Sequence, residues 1–135
     1  ACRHVRYRHE ERDPRRLAGR LAGILKQRQV NWAVTGGVAG GDLTRHLETD
    51  TLAIFLEDTG REVLKGERML PDPDRGNLTI LDFFAPCIAW DKAPGRLPLA
   101  TPLLVYAELL QDGRPREVET ARMIYDLFLG NDKER

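Results

Sequence analysis

Residues 32–41 read WAVTGGVAGG, an apolar run that stops on the first of four glycines lying within six positions. No other stretch limits the fold as sharply. Trp, Ala, Val and Thr in a short run suit a strand, and a glycine pair lets the backbone turn at once into the next element. Val38, Leu43 and Leu47 then recur at helical spacing, so the stretch predicts a strand, a glycine corner and a helix. Such corners cradle nucleotide phosphates when their neighbours fit.

The neighbours exclude two familiar phosphate loops. Gly36 to Gly41 has the spacing of GxxxxGK[ST], but Asp42-Leu43 stand where lysine and a hydroxyl residue would meet phosphate and magnesium. The doublets Gly36-Gly37 and Gly40-Gly41 also break the GxGxxG spacing. A third arrangement is closer. In nucleotidyltransferases of the polymerase-β type, a Gly-Gly or Gly-Ser pair follows the first core strand and Asp-x-Asp comes about a dozen residues later. A third carboxylate lies on a further strand, and the set holds two magnesium ions. Here twelve residues separate Gly37 from Asp50, and Asp82 in NLTILDFF (77–84) stands as the third carboxylate.

Asp50-Thr51-Leu52, however, puts leucine where the second carboxylate belongs. The scaffold resembles that fold while its metal centre is broken, so no catalytic residue, metal ligand or cofactor is expected. Gly36, Gly37, Asp50 and Asp82 remain candidate pocket residues. The alternative is an active or nucleotide-binding nucleotidyltransferase that uses Asp50 and Asp82 with Glu57 or Glu48 as an unorthodox third ligand. Glu57 lies seven residues past Asp50, beyond the end of the strand.

Other chemistry is poorly supplied. The chain contains no serine, and His4, His9 and His46 form no metal-binding motif. Cys2 and Cys87 are far apart, which indicates neither a zinc site nor a disulfide scaffold, and Cys87 reads as a buried thiol. Trp32 and Trp90 read as packing residues. The net charge of zero hides an asymmetry: residues 1–30 carry nine Lys or Arg against three acids, leaving the remainder acidic. Arg3, Arg6, Arg8, Arg15 and Arg16 are the candidate phosphate contacts of this basic end.

Asp13-Pro14 predicts the start of a helix over 14–28, with Leu17, Leu21, Ile24 and Leu25 inward. Strands are expected at 31–35, 51–56, 77–84 and, at an edge, 87–90. A short helix is expected within 61–70, and Asp72-Pro73-Asp74-Arg75-Gly76 reads as a turn. Thr101-Pro102 and Pro115 open two further helices, stopped by Asp112-Gly113 and Gly130. Arg116 and Glu119 lie three apart on the last helix and complete the candidate pocket if they turn toward Asp82.

PLLVYAELLQDGRPREVETARMIYDLFL (102–129), with WAVTGGVAGGDLTRHL and TLAIFLE before it, resembles the AbiEi-family antitoxins of type IV toxin–antitoxin systems. These are also described as transcriptional regulators of phage-defence loci. The resemblance covers residues 14–129. It implies repression of an operon and opposition to a nucleotidyltransferase toxin without direct toxin contact. It also implies a winged-helix DNA-binding domain ahead of this region, so the chain is expected to be the C-terminal domain of a longer or shortened regulator.

The expected fold is therefore α+β: a small mixed sheet packed by helices, nucleotidyltransferase-like, with a C-terminal helical hairpin. Residues 1–13 are expected to form a basic segment ahead of a single domain over 14–135. The expected partners are operator DNA and a second copy of the chain. No apolar run has the length of a membrane span, and a cytoplasmic location is expected.

Overall fold

The structure, a computed structural model, describes residues 4–45, 49–82 and 96–130. Arg3, His46, Leu47, Glu48, Cys2, Cys87, Trp90 and the edge strand expected at 87–90 lie outside them. In chain order the strands are β1 (His4–His9), β2 (Trp32–Thr35), β3 (Leu52–Leu56), β4 (Met69–Pro71) and β5 (Leu78–Asp82). The helices are α1 (Pro14–Gln27), α2 (Gly36–Thr44), α3 (Asp58–Val63), α4 (Pro102–Asp112) and α5 (Pro115–Ile124).

The strands make one mixed sheet in the order β2-β3-β5-β1-β4. Only β3 and β5 run parallel, Leu52 opposite Leu78 and Leu56 opposite Asp82. The other pairs are antiparallel. Leu99 bridges to Val34, and the Ala100 N–H donates to the Val34 carbonyl at 2.8 Å, which extends the sheet beyond β2. The α+β class, the mixed sheet and the C-terminal helical hairpin are thus those expected from the sequence.

Two strands were not expected, β4 and β1. Residues 4–9, read from the sequence as part of a basic segment ahead of the domain, form β1 and lie between β5 and β4 inside the sheet. Side chains alternate along a strand. Tyr7 packs against the core and His9 is buried, whereas Arg6 points to the opposite face and Arg8 is exposed. The His9 ring is held through both nitrogens. Its Nε2 lies 3.0 Å from a Glu67 carboxylate oxygen, its Nδ1 accepts the Glu11 N–H at 2.9 Å, and Arg20 reaches the same Glu67 at 2.7 Å. The nearby arginine and the imidazole hold the Glu67 carboxyl below the usual carboxylate range.

Helix α1 starts as its sequence predicts. The Asp13 carboxylate accepts the Arg15 and Arg16 N–H groups at 2.9 and 3.2 Å, satisfying two of the orphan donors of the first turn. Leu17, Leu21 and Leu25 are fully buried on one side of the sheet with Leu52, Ile54, Leu56, Leu78 and Ile80. The outer face of α1 carries Gly19, which has open space around it. Gly19→Ala is therefore expected to raise stability by about 0.5–1 kcal/mol through helix propensity, read as a higher urea midpoint.

The other side of the sheet holds α2, α4 and α5. A Cβ on Gly40 would meet Leu109 at 2.9 Å and Thr120 at 3.2 Å, so α2 approaches both helices of the C-terminal hairpin through that glycine. Two boundaries differ from expectation. The helix expected within 61–70 is earlier and shorter: α3 gives way to a 3-10 turn at Leu64–Gly66, and Met69–Pro71 pairs with β1. The last helix loses its regular pitch after Ile124 and ends in a π-helical turn, Tyr125–Leu129, with the Gly130 N–H bonded to the Tyr125 carbonyl at 2.6 Å.

Candidate functional site

Gly36 and Gly37 do not merely separate strand from helix; they are the first two residues of α2. Gly36 has φ +64°, a backbone region that favours glycine, and a Cβ there would stand 3.1 Å from the Ala53 methyl. Thr35 occupies the N-cap position, but its hydroxyl makes no capping bond and is buried without a partner among the described residues. The first-turn N–H groups of α2 are therefore uncapped by the side chain that normally serves them.

Beside this corner lies a cleft of about 510 Å³ over the N-terminal ends of β3 and β5. Register explains its floor. Arg6 is opposite Thr79, Thr79 opposite Ala53 and Ala53 opposite Thr35, so one row of side chains crosses four strands. Arg6, Thr79 and Ala53 line the cleft with Gly36, Gly37 and Asp50. Arg12 and Arg75 stand on one wall; Glu108, Asp112, Arg114 and Glu117 form the other.

The acidic wall is partly neutralised. Arg114 donates to Asp112 at 2.9 Å and lies 3.1 Å from Glu117, which is buried. The Asp112 bond, aided by Glu117 and Asp50, holds that guanidinium above its ordinary pKa. Burial pushes the Glu108 carboxyl up; His4 opposes the rise and Asp112 adds to it. A raised pKa means that the folded state binds this proton more tightly than the unfolded chain. Stability is therefore lost as pH rises from the unfolded value, about 4.3, through the folded one. Glu108→Gln is expected to raise the melting temperature at neutral pH and to flatten its decline above about pH 4.5, measured by thermal unfolding across that range.

The sequence-selected residues do not all meet. Gly36, Gly37 and Asp50 line the cleft, and Arg116 lines an adjoining hollow with Thr49, Asp50 and Arg114. Glu119 is exposed on α5 and lines neither. Asp82 sits at the far end of the sheet, opposite Leu56, where Arg61 donates to it at 2.9 Å. The five residues of β3 put on the order of 15 Å between its level and that of Asp50. Glu57 is likewise at the far end, accepting the Asn31 N–H at 2.7 Å. Leu52, where the second carboxylate would stand, is fully buried. Among the described residues no group of three or more His, Cys, Asp or Glu could hold a metal ion.

Of the candidate phosphate contacts, Arg6 also donates from Nε to the Gly76 carbonyl at 2.7 Å. Arg8 is exposed and 3.9 Å from Asp72, Arg15 is paired with Asp42, and Arg16 is exposed on α1. Arg12, Arg75, Glu108 and Glu117 were not selected from sequence. The Arg114–Glu117 spacing of three, and a lone glutamate among the apolar residues of α4, were the available signals for two of them.

A family model described as transcriptional regulator, AbiEi antitoxin, type IV TA system matches residues 3–130. The chain belongs to the AbiEi antitoxin family. The match takes in β1, the glycine corner, the cleft and the C-terminal hairpin. No curated protein matches the sequence. Among the described residues of this AbiEi-family chain, no helix is long and apolar enough to cross a membrane.

Proposed function

We propose that this chain is a non-catalytic domain of an AbiEi-type regulator, acting C-terminally to a DNA-binding module and contributing arginines to operator DNA. The observation that carries the non-catalytic reading is the separation of Asp50 from Asp82 across the length of β3, with buried Leu52 between their levels. Two-metal chemistry needs carboxylates that share ions about 4 Å apart, and these two do not converge. The nucleotidyltransferase-like core serves here as a scaffold, its glycine corner retained and its ligand set lost.

Phosphate contact through Arg3, Arg8, Arg15 and Arg16 fits a regulator of the operon in which its cognate toxin is encoded, whereas Arg6 lines the cleft. Such contacts add affinity without sequence information, and the affinity falls steeply with salt. Repression by a cytoplasmic protein, without a stable complex with the toxin, follows from this reading.

Two measurements test it. Incubation with magnesium and each nucleoside triphosphate is expected to yield no transferred nucleotide; a labelled product abolished by Asp50→Asn would establish the enzyme instead. Anisotropy titration of duplex DNA with Arg8→Ala/Arg16→Ala is expected to weaken binding and to reduce the log–log salt slope by about two. Unchanged binding in that double variant would remove the arginines from the interface.

A further inference from the structure

The cleft divides its charges by wall. Arg6 from β1, Arg12 from the β1–α1 connection and Arg75 from the β4–β5 turn come from three separate segments and converge on one side. None of the three guanidinium groups forms an ion pair with a carboxylate of the described residues; the Arg6 side chain bonds only to a backbone carbonyl. The uncapped amides that open α2 border the same space through Gly36 and Gly37. Three cations and a set of oriented N–H donors in one concavity make an anion site, and planar guanidinium groups match phosphate oxygens in pairs.

Across the cleft stand acceptors. Asp112 and Glu117 share Arg114, whereas Asp50 and Glu108 face the space with no hydrogen bond to a described side chain. A volume of about 510 Å³ is that of a small-molecule pocket. A DNA duplex cannot enter such a space, and the acidic wall would repel a long polyanion.

We propose that the cleft binds a small phosphate ester whose other end donates hydrogen bonds, as the hydroxyls and amino group of a mononucleotide do. The phosphate sits against Arg6, Arg12, Arg75 and the start of α2; the donors meet Asp50 and Glu108. This rests on the regulatory reading, because in a non-catalytic domain the bound molecule is an effector, neither consumed nor changed. Its binding joins β1, the β4–β5 turn and the α4–α5 hairpin around one ligand, which couples occupancy to the packing of the sheet against the hairpin.

The test is calorimetric titration of the full chain with AMP, ribose 5-phosphate and adenosine, in EDTA so that no metal bridges the phosphate. AMP is expected to bind, with adenosine at least about tenfold weaker. Ribose 5-phosphate equal to AMP assigns the site to sugar phosphates, and weaker binding assigns it to nucleotides; both support the site. Arg12→Glu/Arg75→Glu is expected to weaken AMP by about tenfold or more. Both side chains are exposed and form no side-chain hydrogen bond among the described residues, so the melting temperature should hold. Equal binding of adenosine and AMP, undiminished affinity in the double variant, or no heat from either phosphate ester would overturn the proposal. Duplex DNA titrated in parallel separates the two ideas. DNA binding without AMP binding ends the effector site and leaves the regulator standing, whereas AMP binding without DNA binding does the reverse.

Discussion

Asn77→Ala is expected to lower the stability of the domain by about 2–3 kcal/mol, one buried and one part-buried hydrogen bond being lost together. Asn77 is 2% exposed, and its side chain joins the two sides of the β1 turn-off. Oδ1 accepts the His9 N–H at 2.7 Å, and Nδ2 donates to the Glu11 carbonyl at 2.8 Å. Its own N–H donates to the Tyr7 carbonyl at 2.9 Å, and its carbonyl accepts the Leu52 N–H at 2.9 Å, so β1, β3 and the start of β5 meet at this residue. Alanine keeps the backbone bonds but leaves the buried His9 N–H and the half-buried Glu11 carbonyl without the amide that serves them. The cost is the desolvation of two backbone groups, not the net value of two hydrogen bonds. Urea unfolding should show a lower midpoint with an unchanged slope. A loss below about 1 kcal/mol would mean that water replaces the amide at both positions.

Gly76→Ala is expected to cost about 2–3 kcal/mol for a steric reason. A Cβ there would lie 2.6 Å from the Tyr7 carbonyl oxygen, 2.8 Å from that of Asp72 and 2.6 Å from Arg6 Cγ. The arginine can swing away; the two backbone oxygens belong to β1 and to the turn and cannot. The turn would open at the Gly76 N–H to Asp72 carbonyl bond, 3.0 Å long, and the Gly76 carbonyl would leave Arg6 Nε. Thermal unfolding measures the loss, and Gly19→Ala in the same background should move the other way. An unchanged melting temperature for Gly76→Ala would require the β4–β5 turn to be softer than its bonds imply.

Much of the fold is legible in the sequence because its signals are local. Asp13-Pro14 and Thr101-Pro102 mark helix starts, TLAIFL and NLTILD carry the apolar density of strands buried on both faces, and Gly113 takes φ +78° at the end of α4. β1 is not legible. Arg6 faces an open cleft and His4 and Arg8 are exposed, so half its side chains look like solvent residues. The C-terminal hairpin is read from its helix-start prolines, its stop glycines and its helical spacing, and the resemblance agrees with it. Spacing puts the glycine corner and Asp50 near each other, but it could not say whether the Asp82 end of β5 lies beside Asp50 or away from it. That depends on β5 running parallel to β3, which sets Asp82 beside Leu56 and away from Asp50. Asn77 escaped because a polar residue buried by long-range partners carries no local pattern.

The interior position of β1 also sets a timetable. The His9–Asn77 bond spans 68 residues, and at roughly 5–20 residues per second the ribosome needs on the order of 3–14 seconds to make that stretch. For that interval β1 has no partner, since β5 and β4 both come later in the chain. An apolar strand left waiting would recruit any other edge it met. Arginines at positions 6 and 8 make the waiting strand repel its own kind. The positive charge of this end thus guards the nascent chain before it serves any ligand.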